Sequence, residues 1–258
     1  RLRSGPGRWR PPTTAGNSPP PCTTAISTAC SSTPSVRPGP ERAICVPDRL
    51  LHNLGQGRFR EEAAARGLVS DEAMCGRGVH WTDLDGGGRL AILVTNYRLD
   101  PNFQWTSRAD GSFVDAAASW GLRGTSVQGA FGHSIAAAVG DLDGNGRPDV
   151  YLANLAHPRY IDFSERSRLL LQSEAGGPPL EDRSIESAIG FDETNAQPVL
   201  HDIDNDGDLD LYVTSIYRAR RARLYMNDGT ARFREVTWLS GTGVENGWVA
   251  AVADYDGD

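Results

Sequence analysis

Acidic and amide side chains recur at alternate positions in a short stretch near the middle of the chain. Asp141, Asp143, Asn145 and Asp149 surround Gly146, between an apolar run and a β-prone run. Side chains at alternate positions can converge on one point, and a glycine lets the backbone turn so that later oxygens also face that point. Oxygen ligands of this kind suit a hard cation such as calcium. The spacing therefore predicts a calcium site.

Loops of this kind begin four times, at Asp83, Asp141, Asp202 and Asp254, at intervals of 58, 61 and 52 residues. A second pattern recurs between them, as in residues 109–122: a glycine turn, a Phe, an acidic residue and a small-residue stretch. Each repeat is predicted to run strand, cation loop, strand, connection, strand, turn, strand. The small-residue stretches can instead form a helical turn or two.

The length of the period indicates the fold class. It is too long for ankyrin or tetratricopeptide repeats and suits a four-stranded propeller blade. We therefore predict an all-β fold of β-propeller blades over residues 48–258, an incomplete arc of about four repeat units. Because the last loop stops midway at Asp258, we expect a segment truncated at its C-terminus, a fragment of a longer protein. In the last full repeat, Asn227-Asp228-Gly229 predicts a hairpin.

Residues 1–46 differ in composition from the rest of the chain. They are rich in Pro, Ser and Thr, which favours a disordered leader, because such a segment cannot bury enough apolar surface to become ordered. Residues 1–44 carry six Arg and one Glu, so the remainder is more acidic than the net charge of -7 indicates. An acidic domain suits cation binding and argues against nucleic acid as its partner.

Cysteines and apolar runs bear on the compartment. The four cysteines, Cys22, Cys30, Cys45 and Cys75, form no CxxC pair, which argues against a zinc site. A Cys22–Cys30 disulfide and free thiols fit the sequence equally well. No apolar run reaches membrane-spanning length, so no membrane span is predicted. The chain shows no signal-peptide apolar region, so we expect any secretion signal to lie outside this sequence.

Residues 131–154 and 199–215, set side by side, resemble the FG-GAP/VCBS repeat family, whose calcium-bearing propeller blades also form the integrin α-subunit head. Phe131-Gly132 and Gly140-Asp141 match the family pattern, whereas Ala153-Asn154-Leu155 replaces the Gly-Ala-Pro that gives the family its name. Phrases such as LYMNDGTARFREVT and WVAAVADYDGD are more similar to the cartilage acidic protein and ASPIC-type subgroup. The resemblance covers about residues 48–258.

The resemblance implies a ligand set for each loop. The implied ligands, with one main-chain carbonyl in each complete loop, are Asp141, Asp143, Asn145, the Arg147 carbonyl and Asp149, and then Asp202, Asp204, Asp206, the Asp208 carbonyl and Asp210. In the first loop Gly87 and Ala91 replace two ligands, which leaves Asp83 and Asp85 and a weak or empty site. The last loop offers a partial set, Asp254, Asp256 and Asp258.

Other interpretations of these residues are weaker. An EF-hand needs a Glu at the twelfth loop position and flanking helices, but those positions are Leu152 and Val213 in β-prone runs. Paired carboxylates can serve a glycosidase, but no acid pair stands apart from the loops. His80, His133 and His201 precede loops at different offsets and are interpreted as incidental. No G-x-S-x-G nucleophile elbow is present.

Aromatic and basic side chains outside the loops receive structural interpretations. Five tryptophans near blade positions are interpreted as packing residues and not as sugar platforms: Trp81, Trp105, Trp120, Trp238 and Trp248. The arginine cluster within residues 218–223 is interpreted as a solvated connection that balances the acidic loops.

From these observations we expect a calcium-stabilised β-propeller module, with Ca²⁺ in a structural role. The expected function is extracellular, cell-surface or periplasmic adhesion, ligand recognition or scaffolding, with a protein or glycan bound at the propeller loops and no catalysis. The alternative is a non-catalytic or partial propeller portion of a secreted carbohydrate-active enzyme of the polysaccharide lyase kind.

Overall fold

The computed structural model describes residues 24–27, 30–31, 44–70, 74–127, 129–155, 165–190 and 194–256. Regular structure in these ranges is mostly β-strand. The strands are β1 (Thr24–Ser27), β2 (Cys30–Ser31), β3 (Ile44–Cys45), β4 (Arg49–Gly55), β5 (Arg58–Glu61), β6 (Cys75–Thr82), β7 (Ala91–Tyr97), β8 (Phe103–Ser107), β9 (Phe113–Asp115), β10 (Ser134–Gly140), β11 (Asp149–Asn154), β12 (Arg168–Leu171), β13 (Glu181–Asp182), β14 (Asn195–His201), β15 (Asp210–Ser215), β16 (Arg223–Asn227) and β17 (Phe233–Glu235).

Three antiparallel sheets of four strands form most of the described structure. Their strand orders follow the chain, β6-β7-β8-β9, β10-β11-β12-β13 and β14-β15-β16-β17, while β1-β4-β5 form a three-stranded sheet and β2 pairs with β3. The first strands of the three larger sheets, β6, β10 and β14, lie next to one another. This arrangement is that of propeller blades, and it confirms the predicted all-β fold.

Short helical turns occupy the small-residue stretches, which settles the choice that the sequence left open. They are a 3-10 turn (Ala64–Arg66), α1 (Ala117–Trp120) and α2 (Thr237–Ser240). Each follows the last strand of its sheet and ends at a glycine in the left-handed region, such as Gly121 with φ of 74°. None of the helices in the described ranges is long and apolar enough to cross a bilayer.

Three short strands lie within the predicted disordered leader, at residues 24–27, 30–31 and 44–45. The first of them pairs with β4 and so joins the sheet that β4 forms with β5. Disorder stays a prediction for the other residues up to 43, which lie outside the described part of the chain. The Cys22–Cys30 pairing also falls outside it.

A disulfide joins Cys45 to Cys75, with a Cα–Cα distance of 4.9 Å. Neither alternative drawn from the sequence included this pair. The cysteines are 30 residues apart in the sequence. Cys45 lies on β3, which pairs with β2, and Cys75 lies on β6, which pairs with β7, so the two belong to different sheets. Sequence spacing could not show this proximity.

The predicted repeat order places a strand before the loop that begins at Asp254, near Trp248, but no strand is formed there. The Ala250 N–H donates to Gln197 Oε1 at 3.2 Å, and the Trp248 carbonyl accepts from Thr214 Oγ1 at 3.2 Å. These main-chain groups therefore bond to side chains of β14 and β15, and no ladder forms at this point among the described residues.

The apolar core lies between successive sheets. Along β11, Val150 and Leu152 pack in one cluster with Leu93 of the preceding sheet, whereas Tyr151 packs in another with Leu211 of the following sheet. All β11 residues are buried because alternate side chains of a strand face opposite sides, and both sides are covered. Each sheet thus depends on its neighbours for its stability.

The tryptophans divide into two groups. Trp105 and Trp120 are each 5% exposed and belong to the clusters between sheets, which confirms their packing role. Trp81 and Trp248 are 38% and 56% exposed and Trp238 is 79% exposed, so the packing interpretation is wrong for these three, of which Trp238 is the most exposed. It lies on α2 beyond the last described sheet, and the Arg221 guanidinium lies 5.2 Å from its ring centroid. Arg221 therefore makes a contact that the solvated-cluster interpretation did not include.

Candidate metal centres

The carboxylate loops join the first and second strands of each four-stranded sheet. We call them the Asp83 loop (residues 83–90), the Asp141 loop (residues 141–148) and the Asp202 loop (residues 202–209). In the latter two, the strand pair ends at Gly140 opposite Asp149 and at His201 opposite Asp210. The acid that begins each loop and the acid that follows it are therefore held close together by strand pairing.

The Asp141 loop brings three of its predicted ligands together. Carboxylate oxygens of Asp141, Asp143 and Asp149 lie within 4.8 Å of one another. The Asp141 carboxylate also shapes the loop, because it accepts the N–H groups of Asn145 at 3.1 Å and Gly146 at 2.8 Å. Gly146 has a φ of 79°, a left-handed backbone that glycine adopts without strain.

Asp149 is the buried acid of this group, with 0% of its surface exposed. Its two oxygens accept the N–H groups of Leu142 and Gln172, each at 2.8 Å. Burial, opposed by the two hydrogen bonds and assisted by the charges of Asp143 and Asp141, raises the pKa of Asp149 to about 7. A cation would offset both the burial of this charge and the repulsion.

Asn145 and Arg147 lie beside the three acids. Asn145 Oδ1 accepts the Arg147 N–H at 2.8 Å, and its Nδ2 donates to the Gln172 carbonyl at 2.8 Å. The Arg147 guanidinium Nε donates to the Glu174 carbonyl at 3.1 Å, so the side chain is bound to the hairpin turn. Their roles as ligands stay predictions.

The Asp202 loop repeats this geometry one sheet later. Oxygens of Asp202, Asp204 and Asp210 lie within 4.8 Å of one another. The buried acid Asp210 accepts the N–H groups of Ile203 and Asn227, each at 2.9 Å. Burial raises the pKa of Asp210, as it does for the equivalent acid in the preceding sheet.

Asp206 and Asp208 correspond to Asn145 and Arg147. Asp206 Oδ1 accepts the Asp208 N–H at 3.0 Å, the bond that Asn145 makes in the Asp141 loop. Both loops therefore fold in the same way, and the ligand roles of Asp206 and of the Asp208 carbonyl stay predictions.

The Asp83 loop contains fewer acids. Asp83 accepts the Gly88 N–H at 2.9 Å and Asp85 accepts the Gly87 N–H at 2.8 Å, but the buried Asp83 Oδ1 has no partner among the described residues. Ala91 stands opposite Thr82, where the other two sheets place their buried acid. The weak or empty site predicted for this loop stays a prediction.

The final loop is described only in part. The Asp256 N–H donates to Asp254 Oδ1 at 3.3 Å, and both residues are exposed. Asp258 lies outside the described residues. The partial site predicted for these acids therefore stays a prediction.

The two complete loops fit calcium by the chemistry of their donors. Oxygens about 2.3–2.6 Å from a Ca²⁺ ion lie at most about 5 Å from each other, which the three carboxylates of each loop satisfy. Charged oxygen donors favour calcium, magnesium or manganese over softer metals. The EF-hand interpretation is excluded, because Leu152 and Val213 are buried strand residues within β11 and β15.

Three polar side chains near the loops, those of His80, His133 and Ser134, have structural partners. His80 Nε2 accepts the Ala137 N–H at 3.1 Å, so His80 is not incidental: it links two neighbouring sheets. His133 Nδ1 accepts the Arg98 N–H at 3.0 Å. Ser134 Oγ, which follows it in sequence, donates to Asn154 Oδ1 at 2.7 Å. These bonds show no histidine–serine pair.

Gln172 and Asn227 are site residues that sequence reasoning missed. Each donates its main-chain N–H to the buried acid of its own loop, and both side chains are buried. The one available signal was an amide side chain just before the hairpin turn in two successive repeats.

A cleft of about 680 Å³, lined by both apolar and charged side chains, lies apart from the loops. Its lining includes Tyr151, Glu165, Arg168, Asp182 and Ser187. The Glu165 carboxylate pairs with Arg168 at 3.3 Å and accepts the Thr125 N–H at 3.0 Å. The cleft therefore presents both charges on one surface.

Comparison with known proteins agrees with this geometry. Residues 202–258, which begin at the Asp202 loop, match the family model of the FG-GAP-like repeat. Cartilage acidic protein 1 of Mus musculus is 28% identical over 172 residues, which is 65% of this chain and 25% of that protein. The Xenopus tropicalis protein of the same name is 25% identical over 223 residues, 84% of this chain and 32% of that protein.

Cartilage acidic protein 1 of Homo sapiens is 29% identical over 173 residues, 65% of this chain and 24% of that protein. The chain thus spans about a quarter to a third of the length of the curated relatives that it matches. The resemblance to FG-GAP repeats, and to the cartilage acidic protein subgroup, is confirmed.

Proposed function

Starting from an FG-GAP-like repeat in residues 202–258 and relatives of the cartilage acidic protein type, we propose that this chain is an extracellular, calcium-stabilised recognition or scaffold module. The observation that carries the proposal is the pair of loops that each bring three carboxylates within 4.8 Å. Such acids repel one another when no cation is bound, so calcium binding becomes folding free energy.

Two further observations support the proposal. The Cys45–Cys75 disulfide favours an oxidising, extracellular compartment. The last strands of two sheets, β5 and β13, are exposed, and loops held on a frame of packed sheets suit contact with a protein or glycan. We propose no catalytic role, because the hydrogen bonds of His80, His133 and Ser134 are structural.

Thermal melting in calcium and in chelator tests the calcium part. An ion at about 100 times its dissociation constant adds about 2.7 kcal/mol of stability. We expect calcium to raise the melting temperature by about 5 °C or more. The double variant Asp143→Asn/Asp204→Asn is expected to lose this shift. Asp85→Asn, the matched change in the Asp83 loop, is expected to keep it.

Identical melting curves in calcium and in chelator would contradict the proposal.

The recognition part is tested on a glycan array with the wild-type chain and the Asp143→Asn/Asp204→Asn variant, with and without calcium. Depolymerisation of a polysaccharide by this chain would contradict the non-catalytic assignment and favour a carbohydrate-active enzyme.

A further inference from the structure

One amide side chain connects the two complete loops across the boundary between sheets. The Asn227 N–H donates to Asp210 at 2.9 Å, and its side-chain Nδ2 donates to the Leu142 carbonyl at 2.8 Å. Leu142 lies in the Asp141 loop, and its own N–H donates to Asp149 at 2.8 Å. Two residues therefore join the buried acid of one loop to the buried acid of the other.

Every member of this connection is buried. The exposed fractions are 1% for Asp210, 7% for Asn227, 1% for Leu142 and 0% for Asp149. The Leu142 carbonyl also accepts the Ala231 N–H at 3.0 Å, again from the following sheet. Hydrogen bonds in such surroundings are strong and costly to break, so the Leu142 peptide group is held from both sides.

The repeats within this chain show that the amide and the acid go together. Gln172 makes the same connection one sheet earlier: its N–H donates to Asp149 at 2.8 Å and its Nε2 donates to the Leu84 carbonyl at 3.0 Å. In the first four-stranded sheet the register places Ser107 where the others have an amide and Ala91 where they have the acid. The amide and the buried acid are thus both present in two of the four-stranded sheets and both replaced in the other.

We propose that Asn227 is a positioning residue that couples calcium binding at the Asp202 loop to calcium binding at the Asp141 loop. This inference rests on the proposed function. A cation in the Asp202 loop fixes Asp210, and thereby Asn227 and the Leu142 peptide group, which is already bonded to Asp149. The second cation then orders less of the chain when it binds, which is positive cooperativity, and the coupling is reciprocal.

The test is a calcium titration of the full chain by isothermal titration calorimetry. Asp204→Asn disables the Asp202 loop, so the remaining heat reports on the Asp141 loop. We expect this loop to bind calcium about fivefold or more weakly in Asp204→Asn than it does in the wild type. In the Asn227→Ala background, adding Asp204→Asn is expected to change that affinity by less than about twofold.

The chain offers a matched control and a rescue variant. Gln172→Ala removes a buried amide whose Nε2 donates to the Leu84 carbonyl of the Asp83 loop and to the Pro148 carbonyl of the Asp141 loop. A weaker Asp141 loop in this variant does not bear on the coupling, because the further loss on adding Asp204→Asn is expected to be as large as in the wild type. Asn227→Gln restores the side-chain donor with the residue type that the preceding sheet uses, and coupling is expected to return. Far-UV circular dichroism verifies that each variant is folded.

Several outcomes would overturn the proposal. Unchanged affinity of the Asp141 loop in Asp204→Asn would exclude coupling, and this comparison does not require Asn227→Ala to fold. An equal loss in the wild-type and Asn227→Ala backgrounds would exclude Asn227 as the route. If the wild-type chain binds no calcium, the proposed function itself fails; if it binds calcium at two independent sites, only this inference fails.

Discussion

At the scale of single residues, the acid that closes each loop differs from the acids that precede it. Asp149 accepts two main-chain N–H groups and is fully buried, whereas the bonds that Asp143 accepts from the described residues all come from Asn145. The closing acid is therefore a structural residue of the fold, whereas the bonds of Asp143 stay within the loop and its role as a cation ligand stays a prediction.

Substitution of these two acids separates the two roles. Asp149→Ala leaves the Leu142 and Gln172 N–H groups without an acceptor, and we expect it to lower the free energy of unfolding by about 2 kcal/mol or more, even in chelator. Asp143→Asn removes one of the mutually repelling charges, so we expect it to lower stability in calcium and to leave stability unchanged or raise it in chelator. Urea unfolding in both conditions measures this, and equal effects of the two variants in chelator would contradict it.

The sequence was sufficient to predict the acids but not their amide partners. Acids at alternate positions within nine residues form a local pattern, and the structure brings three of them together in each complete loop. Gln172 lies 23 residues from Asp149, and Asn227 lies 17 residues from Asp210. Because the intervening connections differ in length, no fixed spacing marks the amides.

At the scale of elements, the first strands of neighbouring sheets are joined through His80 of β6. Its Nε2 accepts the Ala137 N–H of β10, a bond that only a ring with Nε2 unprotonated can accept. Burial lowers the pKa of His80. The unfolded chain therefore binds a proton at this residue at a higher pH than the folded chain does.

This difference predicts a pH dependence of stability. The contribution of the neutral His80 is present above the unfolded pKa of about 6.5 and is lost as the pH falls below it. In saturating calcium, we expect the free energy of unfolding to decrease from pH 7.5 to 5.5 more steeply in the wild type than in His80→Gln. Urea unfolding across this range measures both slopes, and parallel slopes would rule out the His80 contribution.

The helical turns behave differently although their sequences look alike. Trp120 on α1 packs between two sheets, and Trp238 on α2 is exposed. We expect Trp120→Ala to lower the free energy of unfolding by about 3–5 kcal/mol, because it opens a cavity. Trp238→Ala is expected to change it by less than about 1 kcal/mol. Denaturant midpoints compare the two, and similar losses would contradict the assignment of the core.

At the scale of the whole molecule, one covalent link joins β3 to the first strand of a four-stranded sheet. Replacing both Cys45 and Cys75 by Ala is expected to lower the free energy of unfolding by about 2–4 kcal/mol, since the closed loop no longer restricts the unfolded chain. A reductant is expected to lower the melting temperature of the wild type and to leave the double variant unchanged. If the reductant lowered the melting temperature of both proteins equally, the change would be due to the other cysteines.

The sequence predicted the blades well because the repeat supplies the same signals at each copy, but it did not predict their edges. The strands around Val150 and Leu211 each follow a loop motif directly and contain a continuous apolar run. No strand is formed near Trp248, although one was expected there, because an apolar run becomes a strand only where a neighbouring backbone pairs with it. The pairing of residues 24–27 with β4 was missed because their composition resembles that of a linker.

The placement of the core between sheets also determines the order in which the chain can become structured during synthesis. A sheet that has just left the ribosome can bury only the face that packs on the preceding sheet. Its other face becomes buried when the next sheet is complete. Protection against a protease is therefore expected to advance in steps of one repeat. A nascent chain arrested within β15 would leave Tyr151 and Leu169 uncovered, and completion of the sheet that follows would bury both.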